Sequence, residues 1–415
     1  MGLSLGLSPP ARTPPHPRAR HGRAHPHRTG TPPRPPGSAQ RAAHVEESHG
    51  AVSRRPVPHG ERPVNRDAAE PSAEAAPVLP VGAPRGVRVL GLGAAVLALA
   101  AAVAVSLAVG SGDVPLGAVW QGLVDPDRTD RLHLIVQEVR VPRTAAGLLA
   151  GTALGLAGAL MQGVTRNPLA DPGLLGVNSG ASVAVVLAMG VLGLTAPEQY
   201  IWFGFAGALL AAVLVYGVGS LGREGATPVK LALAGAATSA ALGSLTTAIL
   251  LTDSKTFAQF RFWQVGALSA REPEVLWQAL PFVVLGVCCA LTLGPRLNAL
   301  ALGDDVARGL GQRVGWARAV SAAAVVLLCG AATVVTGPIG FVGLLVPHAA
   351  RLVTGPDYRW ILPYSAVLAP LLLLVADIVG RVVARPEEIQ AGIVTAAVGC
   401  VPFVLLVRRR KLVEL

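Results

Sequence analysis

Ten apolar stretches follow one another between residues 88 and 408, and most are as long as a membrane-crossing helix. An α-helix rises about 1.5 Å per residue, so about 20 apolar residues cross the hydrocarbon core of a bilayer. Hydrophobic residues make up 52% of the 415 residues and charged residues only 14%, which is too few for two or three water-soluble domains. The sequence therefore predicts an all-α, polytopic integral membrane protein with about ten transmembrane helices.

The seventh and eighth predicted spans are joined by the sequence TGPIGFVG, in which Gly337, Pro338 and Gly340 predict a tight break. Runs of small residues at 147–160 (GLLAGTALGLAGAL) and 231–244 (LALAGAATSAALGS) predict helices that approach one another closely. The ten predicted spans are residues 88–110, 144–164, 173–195, 200–220, 229–251, 277–295, 317–336, 340–354, 361–380 and 390–408.

Residues 1–85 differ from the rest of the chain, because they are rich in Pro, Arg and His and have no apolar periodicity. Such a composition predicts a disordered N-terminal tail, followed by a ten-helix transmembrane domain over residues 86–415. Seven of the nine histidines lie in the tail, but their spacing does not predict a metal site.

The rare lysines exclude one class of nucleotide site. Lys230, Lys255 and Lys411 are the only lysines, and none follows a glycine, so the chain has no GxxxxGK[ST] phosphate-binding loop. An ATPase that drove transport would have to be another polypeptide. All four cysteines lie in apolar runs, which favours packing over disulfides or metal ligands. We expect no metal, no cofactor and no nucleic-acid partner.

Loop charges predict the orientation, because Lys and Arg are retained on the cytoplasmic side of a membrane protein. The basic tail, the loops after the fourth and sixth spans, and the C-terminal RRRK all fall on one face of a ten-span chain. We therefore expect both termini to be cytoplasmic.

Ionisable residues within the spans are few, and Asp377, His348 and Arg351 are the main ones. An ion-coupled secondary transporter needs carboxylates or broken helices near the middle of the membrane, so this scarcity weakens that alternative without removing it. His348 and Arg351 are three residues apart on one helix face, which favours a structural pair. A membrane enzyme would need a converging set of catalytic groups, and the sequence offers none.

The loop between the sixth and seventh spans contains NALALGDDVARGLGQR, which predicts one short helix outside the bilayer. Asp304 and Asp305 fall in its first turn, where the helix dipole favours acids, and Gly309 and Gly311 predict its end. Such a helix could rest on the membrane surface or insert into a groove of a partner protein.

The segment MQGVTRNPLADPGLLGVNSG, residues 161–180, places polar groups, which are energetically unfavourable in a bilayer, beside two spans. Asn167 and Pro168 predict the end of one helix, and Pro172 predicts the start of the next. On these residues alone, an ordinary loop and a moving part are equally good interpretations.

Six motifs, in this order, resemble the FecCD/BtuC-like permease subunits of ATP-binding-cassette importers for iron-siderophore complexes, haem and vitamin B12. The resemblance runs from Arg88 to Arg410. The motifs are RVPR, MQGVTRNPLADPGLLGVNSGA, FWQVGALS, LALGDDVARGLG, TGPIGFVGLLVPHAARL and ADIVGRVVARPEEIQAGIVTAAVG.

The resemblance implies a permease that performs no covalent chemistry and moves an iron(III)-siderophore complex across the plasma (inner) membrane by alternating access. Vitamin B12 and haem are the alternative substrates within the family. The implied partners are a cytoplasmic ATPase dimer, an extracellular or periplasmic substrate-binding protein, and a second permease subunit that is either a copy or a relative.

The resemblance also implies three sets of functional residues. Arg140, Arg143 and Arg381 would pair with carboxylates of the binding protein, as planar guanidinium groups do well. Composition alone favours arginines that anchor span ends at the headgroups. A helix that couples the permease to the ATPase would contain Leu302, Gly303, Asp304, Ala307, Leu310 and Gly311, with Ala307, Leu310 and Gly311 in contact. Gln162, Asn167, Pro168 and Asn178 would form the cytoplasmic gate.

Overall fold

The computed structural model describes residues 83–411 except 111, 113, 223–226 and 270–272. Residues 1–82, which contain nearly all of the predicted disordered tail, lie outside the described residues. The first helix begins at Arg85, three residues before the predicted first span.

The ten apolar helices predicted from the sequence are all present. Among the described residues, seven helices are long and apolar enough to cross a membrane and three apolar helices are shorter, which confirms the predicted fold class. They are α1 (Arg85–Ala108), α4 (Val141–Thr165), α5 (Val177–Gly190), α6 (Pro197–Gly219), α7 (Pro228–Leu250), α9 (Pro273–Thr292), α12 (Val314–Thr336), α13 (Val342–Thr354), α14 (Tyr358–Val383) and α15 (Ala391–Lys411).

Five shorter helices lie between these. They are α2 (Leu116–Val124), α3 (Arg131–Leu134), α8 (Ser254–Gln264), α10 (Gly294–Ala301) and α11 (Asp304–Gly309). A π-helical segment, Ile135–Arg140, joins α3 to α4, so one helix runs over 35 residues from Arg131 to Thr165. Helices α2, α3 and α8 fall in loops between the predicted spans, because helices this short carry no transmembrane signal.

Helix α4 lies at the centre of the bundle. Its Gly147, Gly151 and Gly155 recur every four residues and face α14, where a Cβ at Gly151 would overlap the backbone of Pro370. A Cβ at Gly158 would overlap the backbone of Gly343 in α13. Small residues let helix backbones approach in this way, which confirms the predicted close packing at 147–160.

Two glycines explain where one span ends and another begins. Gly337, at φ +77°, ends α12 and lies so close to the carbonyl of Trp263 that a Cβ would not fit, as predicted for the TGPIGFVG break. Gly176, at φ +71°, follows the 3₁₀ turn Pro172–Leu175. Helix α5 therefore begins at Val177 and is shorter than the predicted span 173–195.

Helices α10 and α11 mark one end of the bundle. Asn298 of α10 donates from Nδ2 to Oδ1 of Asp357 at 2.6 Å, and its Oδ1 accepts from the backbone of Tyr358, where α14 begins. Asp357 also caps α14 by accepting from the N–H of Arg359. We call this end the α11 end. Asp377 and Arg381 lie near the other end of α14, and we call that end of the bundle the opposite end.

Candidate functional site

The loop that carries α10 and α11 forms two helices where the sequence predicted one. Gly303, at φ +111°, separates them, and Gly311, at φ +78°, turns the chain after α11 as expected. Leu302, Val306 and Leu310 are exposed, whereas Ala307 is fully buried. Exposed apolar side chains on a short helix suit a contact with another protein. The side chain of Ala307 faces inward, so its predicted contact role does not fit the structure.

Asp304 joins α11 to two other helices. Its Oδ1 accepts a hydrogen bond from Nη2 of Arg166, the residue that ends α4, and a second from Nη2 of Arg318 in α12 at 3.0 Å. Arg308 lies 4.0 Å from the other carboxylate oxygen. The side chain of Asp304 is 27% exposed. We call Asp304, Arg166, Arg318 and Arg308 the Asp304 cluster.

Arg166 has a left-handed backbone, with φ +51° and ψ +27°. This conformation costs a non-glycine residue about 1–2 kcal/mol, so other contacts must hold it. Burial, followed by the repulsion of Arg318, lowers the pKa of Arg166. The carboxylate of Asp304 therefore lies between two guanidinium groups that repel each other.

The four predicted gate residues do not form one group. Gln162 is buried, donates to the carbonyl of Leu344 and accepts from Nη1 of Arg351 at 2.6 Å. Asn167 is exposed and accepts from the N–H of Leu169 in a local turn. Pro168 follows it in the same loop.

Asn178, in the first turn of α5, contacts α12. Its Oδ1 accepts from Oγ1 of Thr333 at 2.9 Å. A satisfied side chain between two helices has an evident packing role. The structure therefore separates the packed Gln162 and Asn178 from the loop residues Asn167 and Pro168.

Arg351 is a structural residue, as its spacing from His348 suggested. It donates from Nη1 to Gln162 of α4 and from Nη2 to the hydroxyl of Tyr358 in α14 at 2.9 Å. It thereby ties α13 to its two neighbours at the α11 end.

The opposite end holds a buried group of charges around Asp377. Arg143 of α4 donates from Nη2 to Asp377 at 2.8 Å and from Nη1 to Glu388 at 2.7 Å. Nη2 of Arg381 lies 3.1 Å from the other oxygen of Asp377, one turn earlier on α14. The side chain of Asp377 is completely buried. We call Asp377, Arg143, Arg381 and Glu388 the Asp377 cluster.

Arginines of this end also bind the end of α1. Arg381 donates from Nη1 to the carbonyls of Ser106 and Val109, and Arg140 donates from Nη1 to those of Leu107 and Ala108. Carbonyls at a helix C-terminus lack partners within the helix, so two guanidinium groups satisfy them here.

Arg140, Arg143 and Arg381 are the residues predicted to pair with carboxylates of a binding protein. In the structure all three are buried and bonded within the chain. Sequence reasoning missed the acceptors of Arg140 and Arg143, which lie far away along the chain, and it did not pair Arg381 with Asp377, four residues earlier on α14. The three arginines do line a cavity of about 250 Å³ together with Glu388, and Nε of Arg381 has no acceptor among the described residues.

The described residues contain no group of three His, Cys, Asp or Glu side chains that could hold a metal ion. Asp377, the carboxylate on which an ion-coupled carrier would depend, already pairs with two arginines. The ion pair of Asp377 with Arg143 holds α14 against α4.

Residues 97–409 match the FecCD transport family. The chain belongs to this family. It is 44% identical to the ferric enterobactin transport system permease protein FepD of Escherichia coli, over 74% of this chain and 91% of that protein. It is 41% identical to the iron(3+)-hydroxamate import system permease protein FhuB of Bacillus subtilis, over 74% of this chain and 79% of that protein.

A solved structure agrees with the fold. A protein assigned to the metal-chelate type of ABC transporters, solved in an inward-facing conformation, superposes with a TM-score of 0.66 and is 25% identical. The match covers 77% of this chain and 99% of that one. The protein is therefore a multi-pass permease subunit of an ABC importer. It is not an enzyme, its ATPase is a separate polypeptide, and its partners include an ATPase and a binding protein.

Proposed function

We propose that this permease imports an iron(III)-siderophore complex across the plasma membrane. The similarity to FepD and FhuB carries the proposal, because both relatives are permeases for ferric chelates and each matches over 74% of this chain. Vitamin B12 and haem are the other substrates that the family resemblance implies.

Growth on defined iron sources tests the substrate. A strain that lacks this gene should fail to grow on ferric enterobactin or a ferric hydroxamate as the sole iron source, and should grow normally on cobalamin-dependent medium. Restoring the gene should restore growth. Normal growth on every ferric chelate, together with lost cobalamin or haem uptake, would mean that cobalamin or haem is the substrate and an iron chelate is not.

We infer that the ATPase binds at the α11 end, as a dimer that contacts two permease subunits. Leu302, Val306 and Leu310 give α11 and its flanks an exposed apolar surface for this contact. The same end carries Arg166, Arg308 and Arg318, and positively charged loops favour the cytoplasm. Arg88, in the first turn of α1, accepts from the hydroxyl of Tyr364 near the start of α14, and Pro402 of α15 lines a pocket with Pro168. Helix α1 therefore begins, and α15 ends, toward the α11 end, which supports a cytoplasmic position for both termini.

A substitution at this surface tests the contact. Leu310→Asp places a charge on the apolar contact and should release the ATPase from the permease during purification. Leu310→Met keeps an apolar side chain and should retain it. Equal ATPase recovery with both variants would exclude Leu310 from the interface.

For the binding protein we propose the opposite end, where Arg140, Arg143 and Arg381 line the cavity of about 250 Å³. A carboxylate of the binding protein would enter this cavity, displace Glu388 from Arg143 and accept from Nε of Arg381. Burial of Arg140, Arg143 and Arg381 fixes their positions for that contact. Docking thus requires an exchange of carboxylates instead of contact with free surface arginines.

For the second permease subunit we propose contact through α7. Leu233 and Leu245 are exposed on this helix, and the run of small residues at 231–244 allows close approach of another helix. Disulfide cross-linking between cysteines introduced at Gly243 tests the contact. A cross-linked dimer in native membranes is expected, whereas a monomer under the same oxidation would move the interface elsewhere.

A further inference from the structure

Asp304 is the residue at which α11 meets two membrane-crossing helices. Its hydrogen bonds to Arg166 and Arg318 attach α11 to the end of α4 and to the first turns of α12. Asp304 is the first residue of α11, but its side chain does not cap the helix, because the N-cap position belongs to Gly303. A capping role therefore does not explain these contacts.

The neighbouring Asp305 shows by contrast what is particular to Asp304. Asp305 lies on the same helix with a side chain that is 99% exposed, and it pairs with Arg308, three residues further along α11. That pair stays within α11. The pairs of Asp304 leave the helix, so of these two acidic residues Asp304 is the one that can pass a displacement of α11 to other elements.

The backbone around α11 would let it move as a unit. Gly303 and Gly311, both at positive φ, flank the helix, and residues of this kind absorb changes in backbone angles at hinges. Arg166 lies at the start of the loop that contains Asn167 and Pro168, and α4 continues to Arg143 at the opposite end. A pull on Arg166 therefore acts on the most central helix of the bundle.

We propose that Asp304 is a positioning residue that transmits displacement of α11 to α4 and α12. The proposal rests on the proposed binding of the ATPase at α11. When the ATPase dimer closes, α11 shifts, and the two ion pairs of Asp304 carry Arg166 and Arg318 with it. Without the carboxylate, α11 can move while the membrane-crossing helices stay behind and the two arginines repel each other.

The test measures transport per ATP in the complete complex, purified from native membranes through a tag on the permease and placed in proteoliposomes. The probe is ferric enterobactin or a ferric hydroxamate. For Asp304→Asn we expect uptake to fall about tenfold while ATP hydrolysis stays within about twofold of the unsubstituted complex. The matched control Asp305→Asn should keep both rates within about twofold.

Two further variants separate transmission from loss of folding or of the ATPase. Arg166→Gln removes the same link from its other side and should uncouple transport in the same way. The exchange Asp304→Arg with Arg166→Asp restores an ion pair between α11 and the end of α4 and should raise uptake above that of Asp304→Arg alone. Aspartate also tolerates the left-handed backbone of position 166.

The outcomes distinguish this proposal from the proposed function. Uptake that is unchanged in Asp304→Asn, or that falls in proportion to hydrolysis and is not restored by the exchange, would overturn the transmitting role. Absence of ATP-driven uptake in the unsubstituted complex would instead count against the proposed substrate or ATPase site.

Discussion

The two ends of the bundle each hold a carboxylate between arginines, but the two carboxylates differ in their surroundings. Asp377 is completely buried, whereas the side chain of Asp304 is 27% exposed. A buried ion pair that loses one partner leaves an uncompensated charge, whereas a solvated pair loses little. The same chemistry therefore holds the bundle together at one end and is available for a movable link at the other.

The largest predicted difference between the two ends is in the free energy of unfolding that is lost when each carboxylate is neutralised. Asp377→Asn leaves Arg143 and Arg381 buried without their shared partner and should lower the free energy of unfolding by about 3–5 kcal/mol. Asp304→Asn should lower it by less than about 1 kcal/mol. Thermal unfolding of both variants in detergent measures this difference, and equal losses would remove the distinction between the two clusters.

A second prediction concerns α4, which connects the two clusters. Gly158→Ala places a Cβ against the backbone of Gly343 in α13 and should destabilise the protein by about 1–3 kcal/mol. Gly217→Ala in α6 is the matched control, because a Cβ there meets nothing within 4 Å. Comparable unfolding temperatures for the two variants would mean that α4 is less tightly packed than its contacts indicate.

A smaller stability effect than that of Gly158→Ala is predicted for Glu388. Its side chain is 28% exposed, and Arg143 keeps Asp377 when Glu388 is neutralised. Glu388→Gln should therefore cost about 1 kcal/mol or less.

The same variant should bind the substrate-binding protein more tightly, because a competing carboxylate is removed from the proposed docking cavity. Binding to the permease in nanodiscs measures this change. Weaker binding would mean that Glu388 itself contacts the partner.

The sequence predicted the ten helices because each is a long apolar run, and the small residues at 147–160 predicted close helix packing there without identifying α14 as the partner helix. It also located α11, since Asp304, Asp305 and Gly311 are local signals. It did not predict the π-helical segment before α4 or the break at Gly303, since neither has a periodic pattern.

Local sequence patterns could not predict ion pairs between residues that are far apart along the chain. Arg143 and Asp377 are 234 residues apart, and Arg166 and Asp304 are 138 apart. The scarcity of charge in the spans was nevertheless a usable signal, because buried arginines and carboxylates in a membrane protein pair with one another. That rule would have matched Arg143 and Arg381 with Asp377.

The central claim is that ATP hydrolysis outside this chain drives ferric-chelate import, through α11. Uptake of radioactive iron as ferric enterobactin or a ferric hydroxamate, by proteoliposomes that contain the complete complex, tests it most directly. We predict uptake that requires ATP and the binding protein and that is lost in Leu310→Asp but kept in Leu310→Met. Uptake that continues without ATP, or that survives Leu310→Asp unchanged, would contradict the account.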